Sequence, residues 1–328
     1  MGLPILIAIC LVGFLLLYYG AEWLVKGSSS FARSLGVSPI IIGLTVVAFG
    51  TSAPELVVSV ISSIKGKSMI AVGNVIGSNI CNIALILGMA ALLNPLTSDQ
   101  CVIKRDIPIM LGISLYLLVL TIDSNLGRIE GATLFAGVIG YTLFNYYLCI
   151  KEQRAEGDKC EVPVGCEVEE IGYVSSRPKQ ILLIIVGIIG VVGGAQLVVD
   201  SAVKIMKILG VDEKFIGLTI VAFGTSLPEL ATSVVAAIRK EMDISVGNVV
   251  GSNVFNIMSV LGAASLIRPI PIPGGFFESG LVIDYAVMFV TSALPLVLMR
   301  GDYTLTRKGG AILLGSYVFY IIYLISKI

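Results

Sequence analysis

Residues 43–82 of this chain recur at 217–256. The first copy reads GLTVVAFGTSAPEL from Gly43 and AVGNVIGSNICN from Ala71; the second reads GLTIVAFGTSLPEL from Gly217 and SVGNVVGSNVFN from Ser245. Every matched pair is 174 positions apart, from Gly20/Gly194 through Glu55/Glu229 to Pro95/Pro269, without a gap. An internal repeat means that one folding unit is used twice. Each copy carries one carboxylate, Glu55 or Glu229, inside an apolar segment.

Composition says where such segments reside. Hydrophobic residues make up 56% of the 328 positions and charged ones 13%, about half the charged share of a soluble domain. With a mean hydropathy of +0.97, the chain reads as an all-α polytopic membrane protein. Its formal net charge of zero argues against a nucleic-acid partner, and the absence of histidine excludes an imidazole metal site or proton relay. The N-terminal apolar run lacks a basic leader and reads as an uncleaved first span. Cys10, Cys81, Cys101 and Cys149 lie in or beside apolar runs as reduced thiols, while Cys160 and Cys166 match no zinc spacing.

Ten runs are long enough to span: 3–24, 39–64, 70–93, 107–122, 129–150, 181–199, 215–238, 244–267, 281–299 and 310–325. The sixth continues as an amphipathic stretch toward Leu209. Five precede the polar segment 151–180 and five follow it. An odd number per repeat makes the halves, 1–150 and 181–328, insert in opposite senses. The expectation is two inverted five-helix repeats with the substrate between them at the midplane. Segment 151–180, with its acidic cluster Glu167, Glu169 and Glu170, reads as a solvated linker rather than a cation sensor. Fourteen of the 22 basic residues fall on the linker's side, which places the linker in the cytoplasm and both termini outside the cell membrane.

The motif chemistry is specific. Pro54 has no N–H for the carbonyl of Gly50, and Gly50 adds backbone freedom at the same turn, so the helix should break at membrane depth and release main-chain oxygens. Such breaks are tolerated only against protein or a wet cavity. Thr51, Ser52 and Ser59 share a helical face with Glu55; Thr225, Ser226 and Ser233 do so with Glu229. On the next span Asn74, Ser78 and Asn82 recur every fourth residue, as do Asn248, Ser252 and Asn256, while Gly73, Gly77, Gly247 and Gly251 permit close helix approach. Taken singly, the small polar residues are as readily packing glue as ligands. The two glutamates are not, since an ionisable group at the bilayer centre costs roughly 2.5–3.5 kcal/mol and no lysine or arginine shares their spans. Carboxylate, hydroxyl, amide and main-chain oxygens together suit hard cations such as Ca²⁺ or Na⁺, not zinc or copper.

The paired GTSxPE and GNxxGSNxxN segments resemble the two α-repeats of the sodium/calcium exchanger family, within the cation/calcium antiporter superfamily. The prokaryotic branch, which lacks large cytosolic sensor domains, is the nearer match. The resemblance implies an antiporter working by alternating access, with Glu55 and Glu229 and the main-chain oxygens of Thr51 and Thr225 around calcium. It implies flanking sodium sites from Ser52, Ser78, Ser226 and Ser252 with the carbonyls of Ala48 and Ala222, and Asn82 and Asn256 in the middle. The first and sixth helices would slide across the rest. Asn256 departs from potassium-dependent members and some prokaryotic ones, which carry aspartate there. The expected partners are therefore Na⁺, Ca²⁺ and the bilayer, with no cofactor, no enzymatic activity and a monomeric, potassium-independent cycle. Calcium/proton exchange at the same glutamates is the alternative, although that branch carries a further acidic residue where this chain has Ser78-Asn79. A channel fits less well, because filters are usually rings of symmetric subunits.

Overall fold

Within a bilayer, only pairing inside the segment satisfies backbone N–H and C=O groups, so long apolar runs become helices. The computed structural model describes residues 2–156, 173–210 and 222–326. Residues 217–221 of the second motif, the acidic cluster at 167–170, Cys160 and Cys166 lie outside the described residues.

The first half comprises α1 (Leu3–Leu35), α2 (Pro39–Thr51), α3 (Ala53–Ile64), α4 (Met69–Leu93), α5 (Ile107–Thr121) and α6 (Arg128–Glu156). The second comprises α7 (Arg177–Ile208), α8 (Leu227–Ile238), α9 (Met242–Ile267), α10 (Leu281–Leu298) and α11 (Arg307–Ser326). Among the described residues six helices, α1, α4, α7, α9, α10 and α11, are long and apolar enough to cross a membrane, and the bent pair α2–α3 makes a seventh. Both α1 and α7 outrun the apolar stretches 3–24 and 181–199. In α1 the extension carries the buried Ser28, Ser29 and Ser30, which only packing inside the protein accommodates.

Helices α1 and α7 lie against each other along their length, and glycines set how close they come. A Cβ on Gly13 would meet Val198, one on Gly20 would meet Val191 and Gly190, and one on Gly27 would meet Leu183 and Gln180, all at 2.7–3.0 Å. Contacts that descend α7 while ascending α1 show that the two run antiparallel. Gly20→Leu is expected to force backbone apart and destabilise the protein by about 3 kcal/mol or more. Gly193→Ala, on an exposed face of α7 with open space beside it, should be neutral or stabilising by up to about 1 kcal/mol. Thermal unfolding in detergent measures both.

The connections gather into two groups. In one, β1 (Leu96–Thr97) pairs antiparallel with β4 (Thr304–Leu305). Asn94 Nδ2 donates to the carbonyl of Ala237 at 3.0 Å. The loop after α8 also holds α1: Glu241 accepts from Ser29 Oγ at 2.6 Å and pairs with Arg33 at 2.9 Å, while Arg239 pairs with Glu22. In the other group, β2 (Asn125–Leu126) pairs with β3 (Ile270–Pro271). There Ser63 Oγ donates to the carbonyls of Ala264 and Arg268 at 3.0 and 3.1 Å, and Arg268 Nη1 donates to the carbonyl of Ile64 at 2.8 Å.

Candidate ion site

The α2–α3 break falls at Ser52, where φ is −80° and ψ 6°, and the axis bends by 45°. Pro54 supplies no N–H to the carbonyl of Gly50. Glu55 stands in the first turn of α3, directly after that break. In the second motif Ser226 sits at φ −89° and ψ 7° before α8, and Glu229 stands in the first turn of that helix. The breaks expected beside Pro54 and Pro228 thus fall at Ser52 and Ser226.

Hydroxyls cross from each repeat to the other's carboxylate. Ser52 Oγ donates to Glu229 Oε1 at 3.0 Å and Ser226 Oγ to Glu55 Oε1 at 3.2 Å. Ser78 Oγ donates to Glu55 Oε1 at 3.5 Å and lies 3.3 Å from Ser226 Oγ. Thr51 Oγ1 donates to Asn248 Oδ1 at 3.1 Å and lies 3.4 Å from Ser252 Oγ, while Thr225 Oγ1 donates to Asn74 Oδ1 at 3.4 Å. Asn74 and Asn248 are held in turn: their Nδ2 atoms donate to Ser59 and Ser233 hydroxyls at 3.0 and 2.9 Å. The carbonyl of Ala48 accepts from the Ser52 N–H at 3.0 Å and from Thr51 Oγ1 at 3.3 Å. Ala222 opens the short turn Ala222–Gly224 ahead of Thr225.

Glu55, Glu229, Asn82 and Asn256 are fully buried. None of the ion pairs among the described residues involves either glutamate. Four atoms here are buried without a protein partner: Glu55 Oε2, Glu229 Oε2, Asn82 Oδ1 and Asn256 Oδ1. All four are acceptors, and each unsatisfied buried polar group costs roughly 1–3 kcal/mol. A set of oxygens without donors is matched by a cation. Asn82 and Asn256 each stand in the first turn of a π-helical segment, Cys81–Leu87 in α4 and Asn256–Leu261 in α9; such wide turns recur at functional sites.

The close approach expected of the motif glycines is realised on α9 but not on α4, where nothing lies within 4 Å of a Cβ on Gly73 or Gly77. A Cβ on Gly247 would lie 2.8 Å from the Ile40 carbonyl, and one on Gly251 would lie 2.5 Å from that of Leu44. Two residues that the fourfold stripe passed over are also central, Asn79 and Asn253. They sit one position beyond Ser78 and Ser252, off the glutamate-facing row, and their only sequence signal is that GSN occurs in both copies.

The sodium/calcium exchanger protein family model matches residues 5–147 and 179–326. The chain belongs to that family. Among its curated relatives, the putative antiporter CaxA of Alkalimonas amylolytica is 39% identical over 315 residues, covering 94% of this chain and 95% of the relative. The sodium/calcium exchanger MaX1 of Methanosarcina acetivorans is 32% identical, covering 96% and 97%. A solved structure of the sodium-calcium exchanger NCX_Mj, soaked with 2.5 mM Na⁺ and 0.1 mM Ca²⁺, superimposes with a TM-score of 0.80 at 35% identity, covering 97% and 98% of the two chains. Family membership makes the protein a membrane antiporter, and both of the curated relatives just named are prokaryotic.

Proposed function

We propose that this family member exchanges Na⁺ for Ca²⁺ across the cell membrane through one site at the junction of its halves, without potassium. The observation that carries the reading is the set of four donorless oxygens on Glu55, Glu229, Asn82 and Asn256. Two carboxylates hold about −2, which one Ca²⁺ or two Na⁺ neutralise, so the two loads compete for the same charge. Thr51 and Thr225 contribute main-chain oxygens. Ser52, Ser78, Ser226 and Ser252 flank the carboxylates, and with the carbonyls of Ala48 and Ala222 they form the sodium positions. The names of MaX1 and NCX_Mj support sodium and calcium as the loads.

The chain crosses ten times as two inverted five-helix repeats, 1–150 and 181–328, joined by 151–180. Three observations support this arrangement. Helices α1 and α7 occupy equivalent places in the repeat yet run antiparallel. The connection bearing β1 meets that bearing β4, while its repeat equivalent, bearing β3, meets β2; alternate crossings of opposed halves bring those connections to common sides. The hydrogen bonds of the site are reciprocal across the two halves. The glycine-lined α1–α7 pair is the unit that slides to alternate access, the linker side is cytoplasmic, both termini are outside, and a monomer suffices.

Radiolabelled calcium uptake into proteoliposomes, under sodium, proton or potassium gradients imposed in turn, tests the exchange. A sodium gradient alone should drive uptake; uptake driven by protons and not by sodium would replace this reading with calcium/proton exchange. Asp123 and Asp302, both exposed, occupy equivalent turns before β2 and β4. Asp123→Cys and Asp302→Cys, each in a cysteine-free background, should label from opposite faces of the membrane. Labelling of both from one face would refute the inverted arrangement.

A further inference from the structure

Asn79, Asn82, Asn253 and Asn256 are at most 1% exposed, and their amides form a closed cross-repeat set. Asn79 Nδ2 donates to the main-chain carbonyl of Asn253 at 3.4 Å, and Asn253 Nδ2 to that of Asn79 at 3.3 Å. Asn79 Nδ2 also faces the Met288 sulfur, a weak acceptor, at 3.8 Å. A main-chain carbonyl can only accept, so these contacts decide which way both amides turn. With their nitrogens so engaged, the oxygens of Asn79 and Asn253 face elsewhere and require donors. Asn256 Nδ2 meets Asn79 Oδ1 at 3.2 Å, and Asn82 Nδ2 meets Asn253 Oδ1 at 3.0 Å. The second orientation follows from the first: Asn82 and Asn256 have their nitrogens committed, and their oxygens are the two buried acceptors without a protein donor.

The alternative orientation would be harmful to cation binding. Asn82 stands one turn beyond Ser78, which donates to Glu55. Asn256 stands one turn beyond Ser252, which meets Thr51. A pair of carboxylates without a cation attracts any NH₂ group that can turn toward it. A flipped Asn82 or Asn256 would put its NH₂ where the free oxygen now stands and set its oxygen against the oxygen of Asn253 or Asn79.

We infer that Asn79 and Asn253 are positioning residues of the ion site, each locking the site asparagine of the opposite repeat so that it offers oxygen to the cation. The inference rests on the cation-site reading above. It also makes each half of the site dependent on the other: the amide that meets Asn256 belongs to the opposite repeat.

The test is a cycle read by equilibrium binding of radiolabelled calcium to the purified protein and by the KM and maximal rate of sodium-driven uptake. Removing a partner that orients a ligand typically lowers metal affinity about ten- to a hundredfold. Asn79→Ala should therefore raise the calcium Kd and KM by roughly tenfold or more, with the maximal rate largely kept. In an Asn256→Ser background there is no amide left to orient, so adding Asn79→Ala should change Kd by less than about twofold. An equal penalty in both backgrounds would make Asn79 merely structural and overturn the proposal. Asn253→Ala with Asn82→Ser repeats the cycle from the other half; failure of both alanine variants to insert would likewise overturn it. Binding separates this inference from the exchange reading. A parent that binds calcium but shows no sodium-driven uptake sinks the exchange reading while the binding cycle still judges the asparagines. A parent that binds none sinks both.

Discussion

Glu55→Gln and Glu229→Gln are each expected to abolish sodium-driven calcium uptake while leaving the protein at least as stable as its parent. The two effects have opposite signs because they arise from different terms. Both carboxylates are fully buried, and neither pairs with a basic residue among the described residues. Removing one charge from a buried ion contact costs roughly 3–5 kcal/mol, a loss of at least about a hundredfold in calcium affinity. Without a cation, the same charge costs roughly 2.5–3.5 kcal/mol in the bilayer, and the amide relieves that. Glutamine keeps an oxygen for the hydroxyl of Ser52 or Ser226, so the local fold survives. Calcium should stabilise the parent by about 2.7 kcal/mol at a hundred times its Kd and should barely move either variant. Near-normal uptake by either variant would sink the assignment of the site.

Uptake by the parent is expected to be indifferent to potassium, and Asn256→Asp is expected to lose uptake in a manner that depends on pH and monovalent cations. With asparagine at both 82 and 256, the site holds two formal negative charges. An aspartate at 256 adds a third, and it also places a carboxylate oxygen against Asn79 Oδ1, where the parent has an N–H at 3.2 Å. Asn79 cannot turn to relieve this, because its own nitrogen is held by the Asn253 carbonyl. The variant must therefore recruit a monovalent cation or a proton. Protonation restores a donor toward Asn79, so the loss should be greatest at high pH and recede as pH falls. Calcium uptake under a sodium gradient, with and without potassium on both sides and across pH, measures this. A parent that is inactive until potassium is added would overturn the charge count.

Much of the site was legible because its signals are local to the chain. Pro54 and Pro228 lack an N–H wherever they stand, so the breaks beside Ser52 and Ser226 could be read from residue type alone. Glu55 and Glu229 stood out because a charge in an apolar run is expensive in any membrane fold. The boundaries of α1 were less legible. Lys26 and the serines at 28–30 look like a helix end by hydropathy, yet the helix continues to Leu35 because those serines are packed inside the protein.

What the sequence by itself determined is the repeat, the apolar helices, the two uncompensated carboxylates and the oxygen-rich motifs that carry them, since each depends on residue type and spacing within one segment. Only the tertiary structure decided which oxygens meet. Ser52 bonds Glu229 across 177 positions, and Ser226 bonds Glu55 across 171. The amides of Asn79 and Asn253 are turned by each other's main chain across 174. No spacing rule within a helix reaches a partner on another helix. The orientation of an amide is set by the donors and acceptors that packing brings to it, and here those belong to the other half of the molecule.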